Sequence, residues 1–314
     1  MGNKEKNINT VFIGTPDFAV PSLQSLIDDD FFNVNLVITQ KDKKIGRKQI
    51  LSKTAVKQLA EQYNITVLQA LKIIDIYDKL KALNPDLIIV TAYGQIIPED
   101  ILNIPKYGCI NVHASLLPKY RGAACIQAAI LNQDKTTGLT IMKMNAGLDT
   151  GPIIHQEIIN IKKDDTAGIL FDKLAKLSQE ILPSVLKKYI NKEITAIEQD
   201  NSKASYVGMI KKEDGKINWN KSANSIESQI KAMSPWPGSY SILDNIKIKI
   251  VEAGEIIKIN KYASGELFIN DNTLAIQCGT DALKIKQIQI SGKKVVLASA
   301  FVHGYAKFIG KQFN

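Results

Sequence analysis

The sequence is poor in cysteine and has no long apolar run, and each shortage narrows the classes of protein that it can encode. Its three cysteines, Cys109, Cys125 and Cys278, are odd in number and widely spaced, which favours neither a disulfide framework nor a zinc site. No stretch approaches the roughly 18 consecutive apolar residues of a membrane span. The first residues lack the apolar core and the cleavage site of a secretory signal. We therefore expect a cytoplasmic protein with no metal and no membrane segment.

Glycine-rich nucleotide-binding loops are also missing. The turn GTPDF, residues 14–18, joins a predicted strand to a predicted helix, but it contains neither GxGxxG nor GxxxxGK followed by Ser or Thr. The missing motifs therefore disfavour a nicotinamide-dependent oxidoreductase, an activity that chains with alternating strands and helices can also have.

Positive charge, in contrast, is plentiful. The 314 residues carry a net charge of +9, almost all of it from lysine, since Arg47 and Arg121 are the only arginines. A cytoplasmic protein this basic often binds a polyanion. The segment KDKKIGRKQILSK, residues 41–53, is rich in basic side chains and longer than most connections that follow a strand. It is either a solvated surface or a loop that grips a phosphate backbone.

Short apolar runs alternate with amphipathic stretches through the first part of the chain, as in INTVFIG, VNLVITQ and DLIIVTAY with the segments between them. This alternation predicts βαβ crossovers and an open, mostly parallel, Rossmann-like α/β sheet. Two further strands, GLTIMKMN and GPIIHQEIINI, are joined by the turn AGLDTG, and a long amphipathic helix follows over residues 166–190. We expect residues 1–192 to form a catalytic domain.

The rest of the chain has a different pattern. Residues 193–207 are polar and poorly periodic, so we interpret them as a linker. Beyond them, short alternating strands broken by Gly, Asn and Asp are typical of a small β-barrel of the OB type, which we expect over residues 208–314.

Polar side chains at one predicted strand end could carry chemistry. In CINVHAS, residues 109–115, Asn111 and His113 are two positions apart, so they point the same way from a strand. Open parallel sheets bind ligands at the carboxyl ends of their strands. An imidazole exchanges protons near neutral pH and an amide can donate to an oxygen that becomes negative, a pair that suits acyl or formyl transfer. The alternative is a histidine that only satisfies a structural hydrogen bond.

A third candidate, Asp149, lies between Gly147 and Gly151 in the turn AGLDTG. Glycines permit unusual backbone angles and a close approach of a ligand. A carboxylate there could orient His113 or take a proton through water. The alternative is a turn aspartate that bonds its own backbone.

Taken together, five segments resemble the methionyl-tRNA formyltransferase family over nearly the whole chain. In the family's order and approximate spacing they are FIGTPDFAVPSLQSL, AYGQIIP, INVHASLLPKYRGAACIQ, MNAGLDTGPI and PWPGSY. The resemblance implies transfer of the formyl group of 10-formyltetrahydrofolate to the amino group of methionine on initiator tRNA. It gives Asn111 and His113 the stabilisation of an oxyanion, and Asp149 the orientation of the site and help in proton removal. We expect the chain to act as a monomer.

The resemblance also implies two binding surfaces. The folate would lie against the stretch SLLP, whose Leu–Pro bond is often cis in relatives and whose residues are Ser115, Leu116, Leu117 and Pro118. The acceptor stem of the tRNA would contact the basic segment through Lys41, Lys43, Lys44, Arg47 and Lys48. The C-terminal barrel would bind the flank of the tRNA. Many relatives have an arginine at position 43, and the lysine here keeps the charge but lacks the bidentate fork.

Two alternatives stay open at this point. A formyltransferase with a small amine acceptor, such as a nucleotide sugar, would share Asn111, His113 and Asp149 but would not need the basic segment. An RNA-binding protein without activity could keep the fold, although it would have no need of these three side chains. Folate binding in the absence of RNA would separate the second alternative from the enzymes.

Overall fold

The computed structural model describes residues 7–45 and 49–313. The chain divides into two compact units: the first is formed by residues up to 125, 136–160 and 171–207, and the second by 126–135, 161–170 and 208 onward. Two short segments, 126–135 and 161–170, thus group with the C-terminal part of the chain. The division into domains at 1–192 and 208–314 stays a prediction.

The first unit is built around a seven-stranded sheet with the order β10-β9-β7-β6-β1-β2-β5. Two short pairs, β3–β4 and β8–β11, lie outside this sheet. The strands of the unit are β1 (Ile8–Gly14), β2 (Phe32–Ile38), β3 (Lys43–Ile45), β4 (Ile50–Ser52), β5 (Thr66–Leu68), β6 (Leu87–Thr91), β7 (Cys109–His113), β8 (Arg121–Gly122), β9 (Thr136–Lys143), β10 (Ile153–Asn160) and β11 (Tyr206–Val207).

Helices connect these strands. They are α1 (Val20–Ile27), α2 (Ala55–Gln62), α3 (Tyr77–Leu83), α4 (Glu99–Leu102), α5 (Cys125–Leu131) and α6 (Ala167–Ile190). Short 3-10 turns cover Asp17–Ala19, Ile73–Ile76 and Asn201–Lys203.

The central strands are apolar on both faces because both faces are covered. Ile13, Ile38 and Ile88 are each 0% exposed, and they pack with helix residues such as Leu80 in one core cluster. Strands β5, β2, β1, β6 and β7 are parallel to their neighbours in this order, as buried runs of this kind predict. Their carboxyl ends therefore lie at one edge of the sheet, where the residues that follow β7 are found.

The predicted strand pair with the turn AGLDTG is confirmed. β9 and β10 are antiparallel to each other, and β9 is antiparallel to β7, with His113 opposite Thr140. The turn between β9 and β10 holds Asp149. The predicted fold class, an open and mostly parallel sheet followed by a smaller domain built on an antiparallel β-sheet, is confirmed.

The second unit contains an antiparallel sheet with the order β12-β13-β16-β15-β14, and β17 pairs with β16. Three register shifts along β13 are irregularities of the kind that bend a strand. Its core includes Trp219, whose indole N–H donates to the Ser241 hydroxyl at 2.7 Å. Its elements are α7 (Ala223–Ala232), β12 (Ser239–Leu243), β13 (Ile246–Ile257), β14 (Leu267–Asn270), β15 (Thr273–Gln277), β16 (Ala282–Ile290), β17 (Val296–Leu297) and α8 (Ala298–Gly304), with 3-10 turns at Lys212–Gly215 and Ala306–Phe308.

Residues 193–207, interpreted above as a linker, are hydrogen bonded to the first unit. Ile197 forms a β-bridge with Ile153, and β11 pairs in parallel with β8. Within the described ranges, no helix is both long and apolar enough to cross a bilayer.

Candidate active site

Asn111 and His113 lie on one face at the carboxyl end of β7, as the strand periodicity predicts. His113 is 7% exposed, and its Nε2 lies 3.0 Å from the carbonyl oxygen of Tyr120. A carbonyl only accepts hydrogen bonds, so this assigns the proton to Nε2 and leaves Nδ1 as the nitrogen that can gain or lose a proton. Nδ1 faces Asp149, whose Oδ2 is 3.7 Å away.

Asp149 meets both predicted partners. Its Oδ1 lies 3.4 Å from the Asn111 side-chain nitrogen, and its Oδ2 accepts the Gly122 backbone N–H at 2.7 Å. The carboxylate is largely buried, with 14% of the side chain exposed. Its backbone has φ +52°, a left-handed conformation that Asp tolerates better than most residues. The structure therefore brings together the three side chains singled out in the sequence.

Gly122 occupies a position that accepts only glycine in this arrangement. Its φ is +108°, and a Cβ atom built on it would lie 2.2 Å from the carbonyl oxygen of Val207 on β11. The missing side chain lets β8 lie directly against β11 while its N–H points at Asp149.

A second contact holds the backbone of the same turn. The Gln199 side-chain amide donates to the carbonyl oxygens of Asp149 at 2.8 Å and of Gly151 at 2.7 Å. Asp149 is thus bonded at its carboxylate by Gly122 and at its carbonyl by Gln199.

The stretch after His113 is fixed by hydrogen bonds of its own. The Ser115 hydroxyl donates to the Lys119 carbonyl at 2.7 Å, and the Ser115 carbonyl accepts from the Thr140 hydroxyl at 2.6 Å. The Leu117 carbonyl accepts from the Gln156 amide at 2.9 Å. The bond between Leu117 and Pro118 is cis, as the resemblance implies.

These contacts divide the four residues predicted to bind folate into two kinds. Ser115 is 0% exposed and Leu117 is 3% exposed, so both shape the segment from inside. Leu116 and Pro118 are partly exposed. Contact of Ser115, Leu116, Leu117 and Pro118 with folate stays a prediction.

The basic segment forms a hairpin of β3 and β4. Its exposed side chains include two large apolar residues, Ile50 at 63% and Leu51 at 64%, beside three predicted tRNA contacts, Lys41, Lys43 and Lys44. The other two predicted contacts, Arg47 and Lys48, lie outside the described residues.

Asp42, the one acid of this segment, is neutralised from elsewhere. The Lys57 ammonium on α2 is 2.7 Å from its carboxylate, and hydrogen bonds from Lys57 and then Gln69 lower the pKa of Asp42. Lys53 is paired with Glu61 at 2.6 Å, whose hydrogen bond raises the pKa of that lysine. The charges of Lys41 and Lys44 have no ion pair among the described residues, so they stay available to an anion.

Three residues that build the site could not be identified from the sequence. Tyr120 and Gly122 stand inside the quoted segment INVHASLLPKYRGAACIQ, but nothing in their types shows that one offers a carbonyl and the other an N–H. Gln199 lies in the segment interpreted as a linker, where no pattern marks it. Within the described parts of the chain, no cluster of three His, Cys, Asp or Glu residues could hold a metal ion.

Two family models match the chain. Residues 6–186 match the model described as formyl transferase, and residues 209–306 match the model of the formyl transferase C-terminal domain. Among solved structures, a sugar 3N-formyl transferase named WlaRD, determined with dTDP and 5-N-formyl-THF, has a TM-score of 0.63 at 25% identity and covers 91% of this chain and 99% of its own. HypX from Aquifex aeolicus, at 14% identity, a TM-score of 0.61 and coverage of 95% and 47%, shares the fold.

Curated relatives are similar over nearly their full length. The methionyl-tRNA formyltransferase of Caldicellulosiruptor saccharolyticus is 42% identical over 304 residues, which cover 95% of this chain and 97% of the relative. That of Bacillus cytotoxicus is 41% identical and covers 98% and 99%. With both domain models matched and these relatives similar over nearly the whole length, the chain belongs to the formyltransferase family, among the methionyl-tRNA formyltransferases.

Proposed function

We propose that the chain transfers the formyl group of 10-formyltetrahydrofolate to the amino group of methionyl-initiator tRNA and gives N-formylmethionyl-tRNA for translation initiation. The observation that carries this proposal is the convergence of Asn111, His113 and Asp149 at the carboxyl end of β7, in a chain similar to methionyl-tRNA formyltransferases along both domains. We place the reaction in the cytoplasm and assign it to a monomer.

The chemistry required is displacement at a formyl carbon. The methionyl amine attacks this carbon, the carbonyl oxygen becomes an oxyanion, and the bond to the folate N10 then breaks. One proton leaves the amine and one is gained by N10, so the reaction needs no oxidant, reductant or metal. Donors aimed at the developing oxyanion and a group that moves the proton are what lower its barrier.

The three side chains suit these tasks. The Asn111 amide can donate to the oxyanion, and so can a protonated Nδ1 of His113, since its 3.7 Å separation from Asp149 is too long for a direct hydrogen bond and leaves Nδ1 free to turn to a substrate oxygen. The Asp149 carboxylate balances the charge of the imidazolium and can take the amine proton through water. The burial of His113 strengthens each of these interactions, because little water screens them.

The acceptor is supported by charge as well as by the relatives. A net charge of +9 and the exposed lysines of the β3–β4 hairpin suit a polyanion. We assign Lys41, Lys43, Lys44, Arg47 and Lys48 to the tRNA backbone, residues 1–192 to catalysis and residues 208–314 to tRNA binding. Leu116 and Pro118 would contact the folate, with Ser115 and Leu117 holding their shape.

A small amine acceptor is the second candidate, favoured by the likeness to a sugar 3N-formyl transferase. The two are separated by offering methionyl-initiator tRNA, methionyl-elongator tRNA, free methionine and an amino-sugar nucleotide in parallel, with labelled 10-formyltetrahydrofolate. Labelling of the initiator tRNA alone supports the proposal. Labelling of the sugar nucleotide would overturn tRNA as the acceptor but keep formyl transfer as the reaction. No labelling of any acceptor would overturn both the acceptor and the reaction.

A further inference from the structure

Arg121 is a buried charge whose contacts are not explained by the reaction described above. Its side chain is 1% exposed, yet its hydrogen-bond acceptors among the described residues are all neutral. They are the Gln199 side-chain oxygen at 3.2 Å from Nε and 2.8 Å from Nη2, the Asn201 side-chain oxygen at 2.7 Å and the Tyr206 hydroxyl at 2.9 Å. Burial of a charge without a carboxylate partner is destabilising. Locally unfavourable features of this kind are typical of functional sites.

The guanidinium fixes which way the Gln199 amide points. A guanidinium has donors only, so the Gln199 oxygen must face it and the Gln199 nitrogen must face the opposite way. On that side lie the carbonyl oxygens of Asp149 and Gly151, at 2.8 and 2.7 Å. Both contacts would become repulsive if the amide were reversed, so the charge at Arg121 determines whether the turn around Asp149 is held.

The next residue acts on the same aspartate. Gly122 donates its N–H to the Asp149 carboxylate at 2.7 Å, while Arg121 orients the Gln199 amide that bonds the Asp149 carbonyl. Pairing of β8 with β11 sets the position of this dipeptide. Asp149 has φ +52°, a conformation that persists where surrounding contacts impose it.

We infer that Arg121 and Gln199 are positioning residues for formyl transfer, which hold Asp149 at the correct distance from Asn111 and His113. The inference rests on the proposed function, because it concerns the same reaction. Neither residue touches the reacting atoms. They act through Asp149, so their loss should slow the chemical step and leave the binding of donor and acceptor unchanged.

Two substitutions at one position test this. Gln199→Ala removes the donor to both carbonyls. Gln199→Glu keeps the size and the acceptor for Arg121 but places an oxygen against both carbonyls. A displacement of about 1 Å at a reacting group costs up to 10²-fold in rate, so we expect kcat to fall by roughly 10- to 100-fold in both variants, with KM for folate and for tRNA within about twofold.

Gln277 in the second unit supplies a matched control. It is 2% exposed, and its amide donates to the carbonyls of Ile259, Cys278 and Asp281, a similar role far along the chain from the three catalytic candidates. We expect Gln277→Ala to lower the melting temperature as Gln199→Ala does, while kcat stays within about twofold of the wild type.

The outcomes separate the inference from the proposed function. If the unmodified chain transfers no formyl group, the proposed function fails and the positioning role in that reaction fails with it. If the unmodified chain is active and Gln199→Glu keeps its full kcat, the positioning role is overturned. An equal loss of kcat in Gln277→Ala would also overturn it, because general destabilisation would then account for both.

Discussion

Substitution of Gly122 by alanine probes the site through its backbone. An added Cβ would lie 2.2 Å from the Val207 carbonyl oxygen, whereas ordinary contact begins near 3.4 Å, so β8 and β11 must separate by about 1 Å. The φ of +108° is itself a strained value for alanine, at a cost of about 1–3 kcal/mol.

The separation also removes a hydrogen bond from the site. The Gly122 N–H lies 2.7 Å from Asp149 Oδ2, and a shift of this size takes it beyond hydrogen-bonding distance. A hydrogen bond to a charged group contributes about 1.5–3 kcal/mol, so the carboxylate loses its tightest partner. If this loss falls on the transition state, kcat falls by roughly 10- to 100-fold.

The assay is single-turnover transfer of labelled formyl at saturating tRNA, with a thermal melt of each protein to show that it is folded at the assay temperature. Gly208→Ala is the matched control, because a Cβ there meets nothing within 4 Å, and we expect it to behave as the wild type. A Gly122→Ala variant with unchanged kcat would refute the role given to this N–H.

Three more expectations follow from described contacts. Asp149→Asn keeps an acceptor for Gly122 but loses the charge, so kcat should fall by roughly 10²- to 10⁴-fold; a loss below tenfold would contradict the role of the carboxylate. Replacement of Lys43 and Lys44 by Gln should make the log–log salt dependence of tRNA affinity shallower by about 1–2, which the same change at Lys176 and Lys188 on α6 should not do; equal slopes would remove the hairpin from the interface. Burial raises the pKa of Cys109 and of Cys278 to about 12 from an ordinary value of 9.0. Both thiols should therefore resist iodoacetamide at pH 8.5 until the protein unfolds, and rapid labelling of the native protein would count against this burial. The free energy of unfolding should fall as pH rises above about 9, because only the unfolded chain loses these thiol protons there.

The three candidate catalytic side chains could be singled out from the sequence because their signals are local. Asn111 and His113 share one face of β7 through strand periodicity, and the carboxyl end of a strand in a parallel sheet is where ligands bind. Asp149 stood out through the glycines around it. The alternation of strands and helices likewise predicted the sheet, since each element carries its own periodicity.

The supporting contacts could not be predicted because they join distant parts of the chain. Gln199 is 50 residues from Asp149 and 78 from Arg121 in sequence, and only the fold brings them together. Ser115 and Leu117 are buried through hydrogen bonds with Thr140, which lies more than 20 residues away in sequence. No local pattern distinguishes a side chain that lines a site from one that shapes it.

The most direct test of the central claim is formyl transfer by His113→Ala, measured with methionyl-initiator tRNA and 10-formyltetrahydrofolate beside the wild type. We expect a rate lower by roughly 10²-fold or more, with tRNA affinity near that of the wild type, because the substitution removes a donor to the oxyanion and leaves the basic surfaces intact. Full turnover in the variant would contradict a role of His113 in transfer and leave it as a buried histidine that only bonds the Tyr120 carbonyl.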